Sequence, residues 1–204
     1  MIREFAGALV LAAGEGRRFG GGKLHALYRG RPLLSYVLDV VGTARQRGLI
    51  EGGHVVIAAA DARAADLAGA TDLDVVLNDA PELGLSHSLR LGLAAVSATG
   101  AGAALVFLGD QPLVRLEVVD AVIARWREGG RDVVRPRYRA GPDAPGHPAL
   151  LTRAVWPADR RLLGDHGFGS LLDDTSFQTV RVDVSGDNPD IDTVADLVGL
   201  EESS

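Results

Sequence analysis

Leu9-Val-Leu-Ala-Ala-Gly-Glu-Gly-Arg-Arg-Phe-Gly-Gly-Gly-Lys23 runs from an apolar stretch straight into a glycine-rich, basic loop. The continuous apolar run Ala8 to Ala13 fits a strand buried on both faces better than an alternating, half-exposed one. From Pro32 the pattern changes. Leu33, Leu34, Val37, Leu38 and Val41 recur at helical spacing, with Pro32 where a first helical turn tolerates proline. The order is therefore strand, glycine loop, helix. Between Ala6 and Tyr36 lie Arg17, Arg18, Lys23, Arg29 and Arg31 against a single acid, Glu15, in a chain of formal charge -6. A locally positive loop in an acidic chain points to a small anionic ligand. Lys23 is the only lysine in the sequence.

Outward from this stretch the chain repeats the theme. His54-Val-Val-Ile-Ala-Ala is a second buried-strand candidate, followed by a short alanine-rich helix from Asp61. A third strand covers Leu73 to Leu77 and ends at Asn78. Gly84 opens a helix with Leu85, Leu89, Leu93 and Val96 on one face. A fourth strand, Ala104 to Leu108, runs into Gly109-Asp-Gln-Pro112, and Val118, Val119, Val122, Ile123 and Trp126 mark another amphipathic helix. Apolar strands separated by helices imply crossover connections and a mainly parallel sheet covered on both faces, in which ligands bind beyond the carboxyl ends of the strands. Gly14 and Asp110 both sit at such ends. Arg135 to Pro148 holds four prolines and two glycines, which reads as a loop or lid over the site. A strand-like piece at Ala149 to Leu151, a helix near Gly169 to Leu172, a strand at Thr179 to Val184 and a helix from about Thr193 complete a single domain over residues 1–204.

Composition narrows the function. At 204 residues with 47% hydrophobic and 24% charged residues, the chain has material for one substantial core. An acidic balance argues against a nucleic-acid or anionic-membrane surface. The absence of cysteine excludes disulfides, zinc-thiolate and iron–sulfur sites and a cysteine nucleophile. With no long apolar run near Met1 and none of membrane-spanning length, the expectation is a cytoplasmic protein.

Two common phosphate-binding motifs fail on spacing. In the dinucleotide fingerprint, Gly14 and Gly16 would be followed by glycine at position 19, which is Phe19, and the second strand ends without a ribose-binding acid. In the P-loop, Arg17 stands at the first glycine and Leu24 replaces the magnesium-binding hydroxyl. What remains is a longer loop whose backbone N–H groups wrap a triphosphate, with Arg17, Arg18 and Lys23 neutralising it.

Leu11-Ala-Ala-Gly-Glu-Gly-Arg-Arg-Phe-Gly20, followed by Lys23 and Gly30-Arg-Pro-Leu-Leu34, resembles the signature of the nucleotidyltransferases that activate molybdenum cofactor, the molybdopterin cytidylyltransferase branch in particular. Asn78 with Gly84 to Gly92 resembles that family's second loop, and Leu108 to Leu113 its metal-binding aspartate turn. Gly146-His-Pro148, Gly164-Asp-His-Gly167 and Asp190-Ile-Asp-Thr193 resemble its C-terminal motifs. The resemblance implies a three-layer α/β/α sandwich of Rossmann-like, nucleotide-diphospho-sugar transferase type. It also implies magnesium-dependent transfer of a nucleoside monophosphate to a phosphate-bearing acceptor of molybdopterin type, with a molybdoenzyme as eventual partner. Leu-Ala-Ala-Gly in place of Leu-Ala-Gly-Gly favours CTP over GTP. Two departures stand out, Val194-Ala-Asp196 where the family has Pro-Glu-Asp and a proline-rich Arg139 to Pro145 segment.

The resulting candidates are Lys23, Arg17 and Asp110 for chemistry. Leu11, Ala12, Ala13, Gly14, Gly16, Asn78, Ser86 and Ser88 join them for the nucleotide, although Asn78 and the two serines are equally ordinary caps. Arg17 and Arg18 point in different directions, so one of them meets phosphate, and the resemblance favours Arg17. Asp110 is read as a magnesium ligand. Asp190 and Asp192, two apart in an extended segment, share a face and serve either as further metal ligands or, with Thr193 and Asp196, as a helix cap. His147 is the acceptor-binding candidate, with His166 weaker. Rival readings are an oxidoreductase of the nicotine-blue type on the same fold, a sugar-phosphate nucleotidyltransferase and a non-catalytic cofactor-binding chaperone.

Overall fold

In the computed structural model, residues 4–141, 146–161, 164, 169 and 174–202 are described. Seven strands form one sheet: β1 (Ala6–Ala12), β4 (Gly53–Ala58), β5 (Asp74–Asn78), β6 (Ala103–Leu108), β7 (Val133–Tyr138), β8 (Ala149–Thr152) and β9 (Thr179–Val184). Their order across the sheet is β5-β4-β1-β6-β8-β7-β9, and β2 (Leu27–Tyr28) pairs with β3 (Arg31–Pro32) in a separate small hairpin. Only β8 runs antiparallel to its neighbours β6 and β7. The expected mainly parallel sheet is therefore present.

β1 is central because every one of its residues is buried. Ala6, Ala8, Val10 and Ala12 belong to one core, and Leu9, Leu11 and the following Ala13 to the other. This period of two sends alternate side chains to opposite faces of the sheet. The first face packs on α1 (Leu33–Gln46), α2 (Ala62–Gly69) and α4 (Leu116–Arg127) through Leu34, Val37, Ala64, Val119 and Ile123. The second packs on α3 (Leu85–Ala98) and the 3-10 turn Trp156–Arg161 through Leu89, Leu93, Val96 and Trp156. The result is the three-layer sandwich.

One expectation needs correction. The segment from Arg135 is not all loop, since Arg135 to Tyr138 continue β7, which pairs with β9 over its whole length. Pro136 is tolerated there because β8 pairs with Val133 and Val134 alone, leaving the rest of that edge of β7 with no ladder hydrogen bond for the missing N–H to break. Residues 142–145, the Gly164-Asp-His-Gly167 motif with His166, and the helix expected near Gly169 to Leu172 lie outside the described residues, apart from Gly164 and Gly169 themselves.

Parallel pairing of β1 with β4 and β6 brings three strand ends to one edge, Ala12, Ala58 and Leu108. The last helix, α5 (Val194–Glu202), starts beside them.

The α3–sheet contact depends on Gly92, where a Cβ would fall inside the fully buried Leu9 side chain. Overpacking of about 1–3 kcal/mol should outweigh the roughly 1 kcal/mol of helix propensity gained. Gly92→Ala is therefore expected to lower the urea midpoint, and a midpoint at or above the parent's would show that Leu9 has room to move.

Candidate active site

At that edge a cleft of about 460 Å³ is lined by Leu11 to Arg18, Lys23, Leu24, Pro81, Glu82, Gly84, Leu85, Ser88, Leu108, Asp110, Asp190 and Asp192. Residues from the start, middle and end of the chain meet here. The backbone holds them: Gly109 N–H donates to the Leu11 carbonyl at 2.9 Å, and Ile191 N–H to the Asp110 carbonyl at 3.2 Å.

The glycine loop folds back through two short 3-10 turns, Arg17–Phe19 and Lys23–His25. Gly16 carries a double requirement. Its φ of 60° lies in the left-handed region, and a Cβ would stand 2.9 Å from the Lys23 Cβ. The second glycine of the motif is thus what lets Lys23 pack against the loop.

Lys23 Nζ donates to Asp110 Oδ2 at 2.6 Å and to Asp192 Oδ1 at 3.0 Å. Its side chain is only 10% exposed. Desolvation works against the ammonium, but the ion pairs with Asp110 and Asp192 outweigh it, so its pKa is raised. Arg18 completes the cluster through a 3.0 Å bond to Asp192. Both arginine side chains are largely exposed, and Arg17 pairs with Glu15 at 2.6 Å instead of with Asp192.

Asp190 and Asp192 share a face for a visible reason. Ile191 between them is buried at 1% exposure in a small core with Tyr28 and Leu33, so its two neighbours are turned the other way. The cap question resolves in favour of Thr193. Asp196 Oδ2 accepts from Asp192 N–H and Thr193 N–H, while Thr193 Oγ1 accepts from Asp196 N–H, a reciprocal box that opens α5. Those bonds hold the Asp196 carboxyl below its ordinary pKa. They also leave the Asp192 carboxylate for Lys23 and Arg18. Asp190 opens onto the cleft, yet its carboxyl is crowded. Desolvation first, and then the charge of Asp110, push it up to about 6, against the Gln111 Nε2 bond at 2.9 Å.

Other sequence candidates lie behind the wall. Asn78 is fully buried, accepting from Ala80 N–H and donating to Ser88 Oγ at 3.0 Å, so it supports Ser88 in the cleft wall. Ser86 is fully buried and does not line the cleft. His147 is buried beyond Gln111 and Asn188, and its carbonyl accepts from Tyr138 Oη at 2.7 Å. The glycine of Gly-His-Pro is required by packing, because a Cβ at Gly146 would overlap the Pro136 carbonyl. Missed from the sequence were Pro81 and Glu82, which form the opposite rim without any motif of their own, and Gln111 as the partner of Asp190.

Three carboxylates beside one cleft are hard oxygen donors, the chemistry of magnesium or manganese. Among the described residues, no group of three or more His, Asp or Glu converges to hold a metal ion. The donor set fits the common arrangement in which one or two carboxylates share a cation with phosphate oxygens of a ligand.

Comparison with known proteins gives the family and the fold of the chain. A family model for the MobA-like NTP transferase domain matches residues 8–181. A Thermococcus gammatolerans protein named "Probable molybdenum cofactor guanylyltransferase" is 33% identical over 141 residues, 69% of this chain and 66% of that protein; the match thus spans a little under two thirds of its length. The crystal structure of Rv0371c from Mycobacterium tuberculosis H37Rv superposes with a TM-score of 0.84 at 30% identity, covering 99% of this chain and 100% of the other. The Rv0371c complex with manganese gives 0.79 at 29% identity over 98% and 100% of the two chains. The sheet order and crossovers are those of the GT-A-like nucleotidyltransferase fold. Among the described residues no helix is long and apolar enough to cross a membrane. This chain is a member of the MobA-like NTP transferase family.

Proposed function

We propose that the cleft transfers a nucleoside monophosphate, CMP from CTP, to a phosphate-bearing acceptor of molybdopterin type and releases pyrophosphate. The observation that carries this reading is the convergence of the glycine loop, the sole lysine and three aspartates on one cleft. An oxygen of the acceptor phosphate forms a new bond to the α-phosphorus, and the bond from that phosphorus to the bridging oxygen of the pyrophosphate breaks. The acceptor brings its own nucleophile, so the work of this chain is positioning and neutralisation. Lys23 and the loop arginines face the phosphate charge, and the cleft walls at Leu11 to Gly14 and Ser88 bound the nucleoside. A divalent cation on Asp110, with Asp190 or Asp192, would supply further neutralisation of the phosphates. The manganese bound by the Rv0371c relative supports a metal of this kind.

CTP is favoured by Leu11-Ala-Ala-Gly14. A second base has an observation of its own, because the archaeal relative is named a guanylyltransferase. A thermal-shift panel of CTP, GTP, ATP and UTP with Mg2+ separates them. A ligand at about 100 times its Kd adds roughly 2.7 kcal/mol, so the preferred base should give the largest shift. The largest shift from GTP would replace CTP, and none from any triphosphate would remove the nucleotidyl-transfer reading.

Exchange of labelled pyrophosphate into the preferred triphosphate, run with Mg2+ and a phosphate-bearing acceptor because the reverse step starts from the acceptor-bound nucleotide, tests the chemistry. Asp110→Ala is expected to lower exchange by about 10²–10³-fold. Lys23→Arg, which keeps the charge but replaces a compact ammonium by a planar fork, should also lower turnover. Full exchange in both variants would remove Asp110 and Lys23 from the chemistry, whereas no exchange by the parent, with the triphosphate still bound, would turn the reading toward binding without catalysis.

Lys23→Met leaves Asp110 and Asp192 facing one another without the ammonium between them. A loss of about 1–3 kcal/mol is expected by denaturation at pH 7. Millimolar Mn2+ should raise the Tm of the variant more than that of the parent. Equal shifts in the two proteins would show that these carboxylates are not where the cation binds.

A further inference from the structure

We infer that His25 and Asp61 form a positioning pair for Lys23, acting from outside the cleft. The inference deepens the reading above, in which Lys23 meets the triphosphate, and rests on that reading for its functional arm.

Lysine has a long flexible stem, so where its ammonium sits depends on where its backbone is held. On the amino side of Lys23 the hold is by backbone alone, Gly20 N–H donating to the Arg17 carbonyl at 3.2 Å and Gly21 N–H to the Gly16 carbonyl at 3.1 Å. Gly20, Gly21 and Gly22 all have positive φ, at 91°, 93° and 64°, and a Cβ at any of them would meet nothing within 4 Å. Three consecutive glycines therefore offer no side chain to anchor this side of the loop by packing. Side-chain anchoring of the backbone comes from the carboxyl side, on the turn Lys23–His25 itself. Leu24 is buried in the main core. His25, its side chain 8% exposed, places Nε2 at 2.9 Å from both carboxylate oxygens of Asp61. Asp61 is itself fixed as the N-cap of α2, where Oδ1 accepts from Ala64 N–H at 3.0 Å. The turn is thereby tied to a helix that packs on the sheet. Nδ1 of His25 is buried with no hydrogen-bond partner among the described residues, so the polar hold on the ring comes through Nε2. Lys23, His25 and Asp61 also line a cavity of about 100 Å³ under Ala12 to Glu15, beside the cleft. A supporting hydrogen bond of this kind orients a group that does chemistry without touching the reactants.

The single lysine makes the test direct, because amine acylation followed by peptide mass mapping reports Lys23 alone, apart from the chain's own α-amino group. His25→Ala and Asp61→Ser are the informative variants, since serine keeps an N-cap for α2 while removing the carboxylate from His25. Acylation of Lys23 is expected to quicken roughly tenfold in both, the size usual for loss of a supporting contact. His25→Gln, which retains a donor near the Nε2 position, should bring the rate most of the way back. Gly92→Ala, a destabilising change on the far face of the sheet, should leave it at the parent's value. Rates equal to the parent's in His25→Ala and Asp61→Ser, or an equal rise in Gly92→Ala, would overturn the inference whatever the nucleotide does. The functional arm is triphosphate affinity by calorimetry in Lys23 and Lys23→Met backgrounds. His25→Ala is expected to weaken binding roughly tenfold in the first and less than twofold in the second. An equal loss in both backgrounds would assign the pair a general structural role and overturn the inference. If the parent binds no triphosphate while the acylation rates change as expected, the positioning pair stands and the nucleotidyl-transfer reading falls.

Discussion

The site depends on one ammonium group held between two carboxylates from distant parts of the chain. Lys23 reaches Asp110 across 87 positions and Asp192 across 169. Without this cation, the carboxyl end of β6 and the segment before α5 would present like charges to each other at the rim of a buried sheet. Electrostatic pairing in a partly desolvated wall is strong only where geometry is fixed beforehand. The backbone supplies that geometry, through Gly109 on Leu11 and Ile191 on Asp110.

Much of the surrounding structure reads as the means of keeping this cluster in place. Gly16 has no side chain, so the loop can close on Lys23. Ile191 enters a small core, and its burial turns Asp190 and Asp192 toward the cleft. Thr193 and Asp196 cap α5 between themselves, which frees Asp192. Gln111 bonds Asp190 on one side and Asn188 on the other, connecting the aspartates to the backbone beside His147 and to Tyr138 on β7. Each device is an ordinary element of folding, applied next to a charged cleft. On the proposed reading a triphosphate would enter an arrangement already made, which is how electrostatic stabilisation acts without reorganisation at the moment of reaction.

The fold was legible in the sequence to a large extent. Continuous apolar runs marked the buried strands, helical spacing marked α1, α3 and α4, and the alternation of the two implied crossovers and hence parallel pairing. The misreading was local. Pro136 suggested a breaker, and nothing in sequence told that β8 would pair with only the first two residues of β7 and leave a position where proline does no harm. Site residues divided in a similar way. Leu11 to Gly14, Gly16, Lys23, Asp110, Asp190 and Asp192 came together around one cleft, whereas Asn78, Ser86 and His147 lie behind its wall. Polar residues at strand ends and helix starts look alike in sequence whether they face a ligand or satisfy the backbone, because the same hydrogen bonds serve both purposes.

By itself the sequence determined which segments would be buried, the polarity of the loop after β1, and the singularity of Lys23, since these follow from residue type and spacing alone. Only the tertiary structure decided that Lys23 would lie between Asp110 and Asp192, that Arg18 rather than Arg17 would join them, and that His25 would be tied to Asp61. The physical reason is that ion pairs and hydrogen bonds between side chains are short-ranged and directional. Their partners are chosen by where the packed backbone places them, and residues far apart in sequence carry no local signal of that choice.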